Sequence, residues 1–315
     1  MSSSSASLAF VFPGQGSQSV GMLADLAAAH AEVRATFDEA SAGAGVDLWE
    51  ISAHGPEEQL NSTEHTQPAL LAASVAVWRV WRKLGGALPA QLAGHSLGEY
   101  SALVCADALS LHDAAALVAE RGRLMQTAVP TGVGAMAAIL GADDAQIAAV
   151  CEEVAQGQVV APANYNSPGQ LVIAGHAEAV DRALAKLAAM GVRKMVKLAV
   201  SVPSHCALMR EAADQLGERM ASMNWRTPSI PVIQNADACS HASIDAIRGA
   251  LQQQLYLPVR WTECVQALVA GGAGRIAECG PGKVLAGLVK RIDKSVEVRA
   301  IGTPVEFDTA LAEWV

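Results

Sequence analysis

Several motifs that would place a chain in a familiar class are missing here. The six cysteines (Cys105, Cys151, Cys206, Cys239, Cys264 and Cys279) form no C-x-x-C pair, and no metal-ligand spacing occurs, so a zinc site or dithiol redox motif is not indicated. No run approaches the roughly 20 apolar residues of a membrane-spanning helix. No glycine-rich loop closes with Gly-Lys-Ser/Thr, which removes the phosphate loop. Basic excess is absent too: the net charge of -9 argues against general nucleic-acid binding and against an anionic membrane surface. The Ser-rich start, Met1 to Ser7, lacks the basic residues of a signal peptide, and the apolar stretch Leu8–Phe12 is too short for one. These absences together point to the cytoplasm. There is no internal repeat.

What remains is a chain built to bury a core. Its 315 residues are 51% hydrophobic and only 17% charged, which excludes disorder and allows one large domain or two smaller ones. The cysteines read as buried free thiols in a reducing compartment.

One stretch organises the rest: Gly94-His95-Ser96-Leu97-Gly98, a Gly-x-Ser-x-Gly pattern. Leu92 and Ala93 before it read as a buried strand, and the spacing Leu97, Ser101, Val104, Cys105, Ala108 after it reads as a helix. A strand turning at once into a helix strains the serine backbone, and Cβ atoms two residues to either side would collide. The turn lifts the hydroxyl off the sheet edge and sets Ser96 at a helix N-terminus, where free N–H groups favour negative charge. Chance matches to so short a pattern occur in a chain with 27 glycines; the flanking strand and helix favour a nucleophile.

Leu8–Phe12 reads as a buried parallel strand. The loop after it, Pro13–Gln18, is either a plain strand-to-helix turn or a neighbour of Ser96 that lends an N–H to an oxyanion hole, with Leu97 supplying the other. Helices are expected over Met22–Ala40, Glu57–Leu60 and Gln67–Leu84, the last ended by Gly85-Gly86. A capping box at Ser110-Leu111-His112-Asp113 opens a helix running to about Ala128. In it Leu117, Arg121, Leu124 and Met125 share a face. A guanidinium on an apolar stripe is either tied to a core carboxylate or is a socket for an anionic substrate group. Arg123 points elsewhere.

Gly134 to Val202 reads β-α-β-β-α-β, with hinges near Thr131-Gly132 and Ser201-Val202, as for an inserted ferredoxin-like module. Val202-Pro203-Ser204-His205 then leads into a helix over Ala207–Ala221. Of eight histidines, His205 has the most promising place, as a base for Ser96, whereas His95 should point away from the hydroxyl. Strands at Pro231–Asn235 and Arg275–Cys279, with helices ending at Leu251–Tyr256, from Thr262, and over Lys283–Ile292, return to alternating α/β. The fold class is α/β.

The chain closely resembles the malonyl-CoA:acyl carrier protein transacylases of bacterial type II fatty acid synthesis. The resemblance runs from about Leu8 to the last helix. It rests on Phe10–Gln18, Thr66–Leu70, Gly94–Tyr100, Arg121-Gly122, Asn164–Gln170, Val202–His205 and Glu278–Leu285. It implies an α/β-hydrolase-like core with a parallel sheet (residues 1–131 and 202–315) and a ferredoxin-like subdomain (132–201). It implies that Ser96 carries the malonyl group and that His205 is its base. Arg121 would hold the malonyl carboxylate, and the N–H groups of Gln15 and Leu97 would form the oxyanion hole. The resemblance replaces the Asp of a triad by a main-chain carbonyl, here that of Gln254, and sets Gln67 and Asn166 near the site.

Transfer would be ping-pong, from malonyl-CoA to the phosphopantetheine thiol of acyl carrier protein, with no cofactor and no metal. A monomer is expected. The carrier would dock on local basic residues, either Arg193, Lys194 and Lys197 or Lys283, Lys290 and Arg291; both clusters also read as ordinary solvated surface. The competing expectations are a malonyl-thioester hydrolase, a polyketide-pathway acyltransferase for a related carboxylated unit, and a non-catalytic scaffold that binds carrier protein.

Overall fold

The computed structural model describes residues 7–200 and 202–314. Ser201, half of the second expected hinge, lies outside the described residues, as do Met1–Ala6 of the Ser-rich start. In chain order, β1 (Ser7–Phe12) precedes five helices: α1 (Ala24–Ala29), α2 (Ala31–Ala44), α3 (Leu48–His54), α4 (Glu57–Leu60) and α5 (Thr63–Lys83). Next come β2 (Gln91–Gly94), α6 (Gly98–Cys105) and α7 (Leu111–Thr127). A second group follows: β3 (Gly134–Leu140), α8 (Asp144–Val154), β4 (Val160–Ser167), β5 (Gln170–His176), α9 (Ala177–Ala189) and β6 (Lys194–Lys197). The chain then runs through α10 (Arg210–Ala221), β7 (Val232–Ile233), α11 (Ile244–Gln254), α12 (Trp261–Ala270), β8 (Ala273–Glu278), α13 (Val284–Ile292), β9 (Glu297–Ala300) and α14 (Pro304–Trp314).

Two sheets result. The larger has the order β7-β2-β1-β8-β9 with every neighbour parallel, and the smaller the order β4-β5-β3-β6 with every neighbour antiparallel. β1 is central in the larger sheet, which explains its unbroken apolar run: both faces are covered. Phe12 pairs with Gly94, so β1 and β2 end at the same sheet edge. His95 N–H donates to the Phe12 carbonyl (3.0 Å) and joins the two loops that leave that edge.

Packing sets where the helices lie. α5 is buried along most of its length. A Cβ on Gly122 would lie 2.6 Å from the Glu64 Cα, so the glycine lets α7 close on α5 and brings Arg121 against Gln67. The Ser110 side chain caps α7 by accepting from Asp113 N–H (3.0 Å). No described helix is long and apolar enough to cross a membrane.

Several expected elements need correction. The helix read over Met22–Ala40 breaks at His30, whose extended backbone ends α1 and starts α2. α5 starts at Thr63, four residues earlier than expected, and takes Pro68 inside it. The helix after Cys206 opens with a 3-10 turn, Ala207–Met209, and the strand read over Pro231–Asn235 shortens to Val232–Ile233. α3, β9 and α14 carry no expectation; β9 is an edge strand with charged residues on its open face, so its sequence lacks an apolar run. Five cysteines are buried, but Cys239 is exposed.

Candidate active site

Ser96 sits between β2 and α6 with φ at 51°, a left-handed backbone that costs a non-glycine residue about 1–3 kcal/mol. The flanking glycines make the turn possible. A Cβ at Gly94 would lie 1.9 Å from the Gly98 carbonyl carbon, and one at Gly98 would lie 2.0 Å from the Phe12 oxygen. The strained turn is held from below. Ser96 N–H donates to Asn235 Oδ1 (2.8 Å), and Asn235 Nδ2 donates to the Gly94 carbonyl (2.7 Å).

His205 comes from the loop before α10, also with positive φ (61°). Its Nε2 lies 2.8 Å from Ser96 Oγ, and its Nδ1 lies 2.6 Å from the main-chain oxygen of Gln254. A carbonyl only accepts, so Nδ1 bears the proton and Nε2 is free to accept from the serine hydroxyl. Burial, and after it the Arg121 charge, push the imidazole down to about 3, against the Gln254 carbonyl, which raises it. The ring is therefore neutral near pH 7.

Arg121 is 1% exposed. Its Nη1 donates to Gln67 Oε1 (2.7 Å); its Nη2 donates to Gln254 Oε1 (3.0 Å) and to Ser96 Oγ (3.2 Å). The guanidinium also lies 5.5 Å from the centre of the Tyr100 ring. Among the described residues no carboxylate pairs with it directly. Neutral amide oxygens hold this cation, an arrangement that leaves it able to take an anionic partner.

Ser96, His205, Arg121 and Gln67 line one cavity of about 140 Å³. Gln15 and Leu97 line it as well, and neither main-chain N–H has a protein acceptor among the described residues. The opposite wall comes from the smaller sheet and the irregular segment that follows β6, through Met136, Asn164, Leu198 and Val200. Asn166 does not line the cavity: its Oδ1 pairs with Nε2 of His95 (2.8 Å), which does line it.

Two residues under the serine drew no expectation from the sequence. Glu99 is fully buried and accepts from Gln234 Nε2 (3.0 Å), Asn235 N–H (2.8 Å) and Gln254 Nε2 (2.9 Å); Asn235 also ties down Ser96, as above. A signal for Glu99 existed: a lone acid in the otherwise apolar and small stretch Gly98–Cys105, which is buried throughout. Asn235 follows a two-residue strand and had none. The six basic residues considered for carrier docking are all exposed; Lys197 pairs with Asp181 (2.8 Å) and Lys283 with Glu306 (2.9 Å).

A serine on a strained strand-to-helix turn, a neutral histidine accepting from it and a buried cation alongside define a serine acyl-transfer class of site on a parallel α/β sheet. The comparisons agree with that class and narrow it. By a match over residues 9–303 to the acyl transferase domain model, and by its close relatives, the chain belongs to the malonyl CoA-acyl carrier protein transacylase family. The transacylase of Escherichia coli K12 is 56% identical over 96% of this chain and 98% of its own. A crystal structure of malonyl-CoA:acyl carrier protein transacylase from Xanthomonas oryzae superposes with a TM-score of 0.98 at 65% identity, covering 99% of each chain. A malonyl-transacylase solved in complex with a type II PKS acyl-carrier protein gives 0.96 at 54% identity, over 98% of this chain and 99% of its own.

Proposed function

We propose that this chain moves a malonyl group from coenzyme A to the phosphopantetheine thiol of an acyl carrier protein through a malonyl ester on Ser96. The observation that carries this reading is the placing of Ser96 Oγ 2.8 Å from His205 Nε2 and 3.2 Å from Arg121 Nη2. In the first half-reaction, Ser96 gives its proton to His205 as Oγ attacks the thioester carbon. The C–S bond breaks, and coenzyme A leaves with that proton. In the second half, the carrier thiol gives its proton to His205, its sulfur attacks the ester, and Ser96 recovers the proton as it leaves. The N–H groups of Gln15 and Leu97 stabilise the oxyanion in both halves. Arg121 grips the malonyl carboxylate with two parallel hydrogen bonds, and Gln67 and Gln254 aim it. No cofactor takes part, since malonyl-CoA is a substrate.

The same reading divides the chain into an α/β-hydrolase-like core (1–131 and 202–315) and an inserted ferredoxin-like subdomain (132–201). The fully antiparallel β4-β5-β3-β6 order, with α8 and α9 as its two crossovers, supports the insert. The serine at the end of a parallel strand supports the core. A cytoplasmic monomer fits this role.

Intact-protein mass spectrometry after mixing with malonyl-CoA tests the proposal. A malonyl adduct forms on the wild type and is absent in Ser96→Ala. An adduct that survives this substitution puts the nucleophile elsewhere. Free malonate appearing as fast without carrier thiol as malonyl-carrier appears with it makes the protein a hydrolase.

A further inference from the structure

Glu99 stands at the junction of every group described above, yet it touches no space a substrate could fill. Its Oε1 accepts from Gln234 Nε2, and its Oε2 accepts from both Asn235 N–H and Gln254 Nε2. All three partners are donors, so the carboxylate, which only accepts, suits them best; protonation takes up one acceptor position and weakens the rest. Gln254 passes this constraint on. Its Oε1 accepts from Arg121 (3.0 Å), its Nε2 also reaches the Ser96 carbonyl (3.0 Å), and its main-chain oxygen holds His205 Nδ1 (2.6 Å). Turned over, the Gln254 amide would present its NH₂ to the guanidinium of Arg121.

We propose that the ionised carboxylate of Glu99 is the positioning residue of this site: by fixing which way the Gln254 amide faces, it holds Arg121 and the Ser96 turn in one working geometry. The inference rests on the roles of Ser96, His205 and Arg121 proposed above.

The charge state of Glu99 changes in a useful range. Burial pushes the carboxyl up to about 7, while its three donors and, least, the Arg121 charge pull it back. The other titratable groups that face it do not change charge there. Burial raises Tyr100 on α6 and Cys264 on α12 above their ordinary values, Arg121 on α7 is a cation, and His205 is neutral down to about 3. Gln234 and Asn235 beside β7 and Gln254 on α11 do not titrate. Activity should therefore climb as pH rises through about 7, because the working arrangement needs the carboxylate.

The test is the rate of malonyl adduct formation from malonyl-CoA, followed by mass across neutral pH, for wild type, Glu99→Gln and Gln234→Met. In the wild type the rate rises by up to about tenfold per pH unit below the midpoint, the slope of a single ionisation. Glu99→Gln is slower throughout and loses the climb, because an amide cannot ionise. Gln234→Met removes one donor from Glu99 without touching Ser96, His205 or Arg121, so the midpoint moves to higher pH; it carries the test alone should Glu99→Gln not fold. A climb that persists in Glu99→Gln, or a midpoint unmoved in Gln234→Met, overturns the proposal while leaving the Ser96 reading intact. No adduct in the wild type at any pH overturns both.

Discussion

At the scale of single residues, two buried groups pull stability in opposite directions with pH. His205 takes its proton at about 3 when folded against an ordinary 6.5. The unfolded chain therefore binds that proton first, and stability is lost as pH falls from 6.5 towards 3. Glu99 runs the other way: its folded value of about 7 exceeds the ordinary 4.5, so its contribution is full below 4.5 and is lost as pH rises through 7. His205→Gln should accordingly lose less Tm than the wild type between pH 6.5 and 3, as read by thermal melts at matched pH. Arg121 makes a second prediction. On the role proposed for Arg121, a malonyl carboxylate would pair this buried cation and an acetyl group would not, a difference of roughly 1–3 kcal/mol. Arg121→Ala should then cut malonyl transfer about ten- to a hundred-fold more than acetyl transfer. Equal losses in parallel acyl-CoA assays would reduce Arg121 to a structural part.

At the scale of elements, the turn between β2 and α6 has no room to spare. A methyl group at Gly98 would meet the main-chain oxygen of Phe12 at 2.0 Å, and backbone cannot swing aside as a flexible side chain can. Gly98→Ala should destabilise the protein by about 3 kcal/mol or more, since overpacking against a rigid neighbour falls at the upper end of its usual cost. Denaturant unfolding measures this, and wild-type stability in that variant would mean the turn can open. Ser110→Ala is a milder case. It removes the cap of α7, the helix that carries Arg121, at a cost of about 1 kcal/mol.

At the scale of the whole molecule, the cavity lies between the two sheets. The larger sheet, its helices and loops supply Ser96, His205 and Arg121; the smaller sheet and the segment after β6 supply the apolar wall of Met136, Leu198 and Val200. The acyl pocket is then bounded on one side by a wall that the other sheet carries. Met136→Ala should raise the rate with methylmalonyl-CoA relative to malonyl-CoA, because it opens space on that wall. An unchanged ratio would place the size limit on the Arg121 side.

Local rules carried the sequence reading a long way. Unbroken apolar runs named the parallel strands, period and capping named α7, and two glycines around a serine named the turn, because each is a property of a few adjacent residues. Those rules fail where partners are distant or where an element is too short to show a pattern, as with the break at His30, the brief β7 and the edge strand β9. The site shows the same divide. Residue types and a family resemblance could nominate Ser96, His205 and Arg121, but their contacts span 109 and 25 positions, and Gln254 reaches the serine carbonyl across 158. Only the fold brought them to one sheet edge. The buried network of Glu99, Gln234, Asn235 and Gln254 was the tertiary structure's decision alone, since a hydrogen-bond partner is chosen by direction and distance in space, and neither is written in the order of the residues.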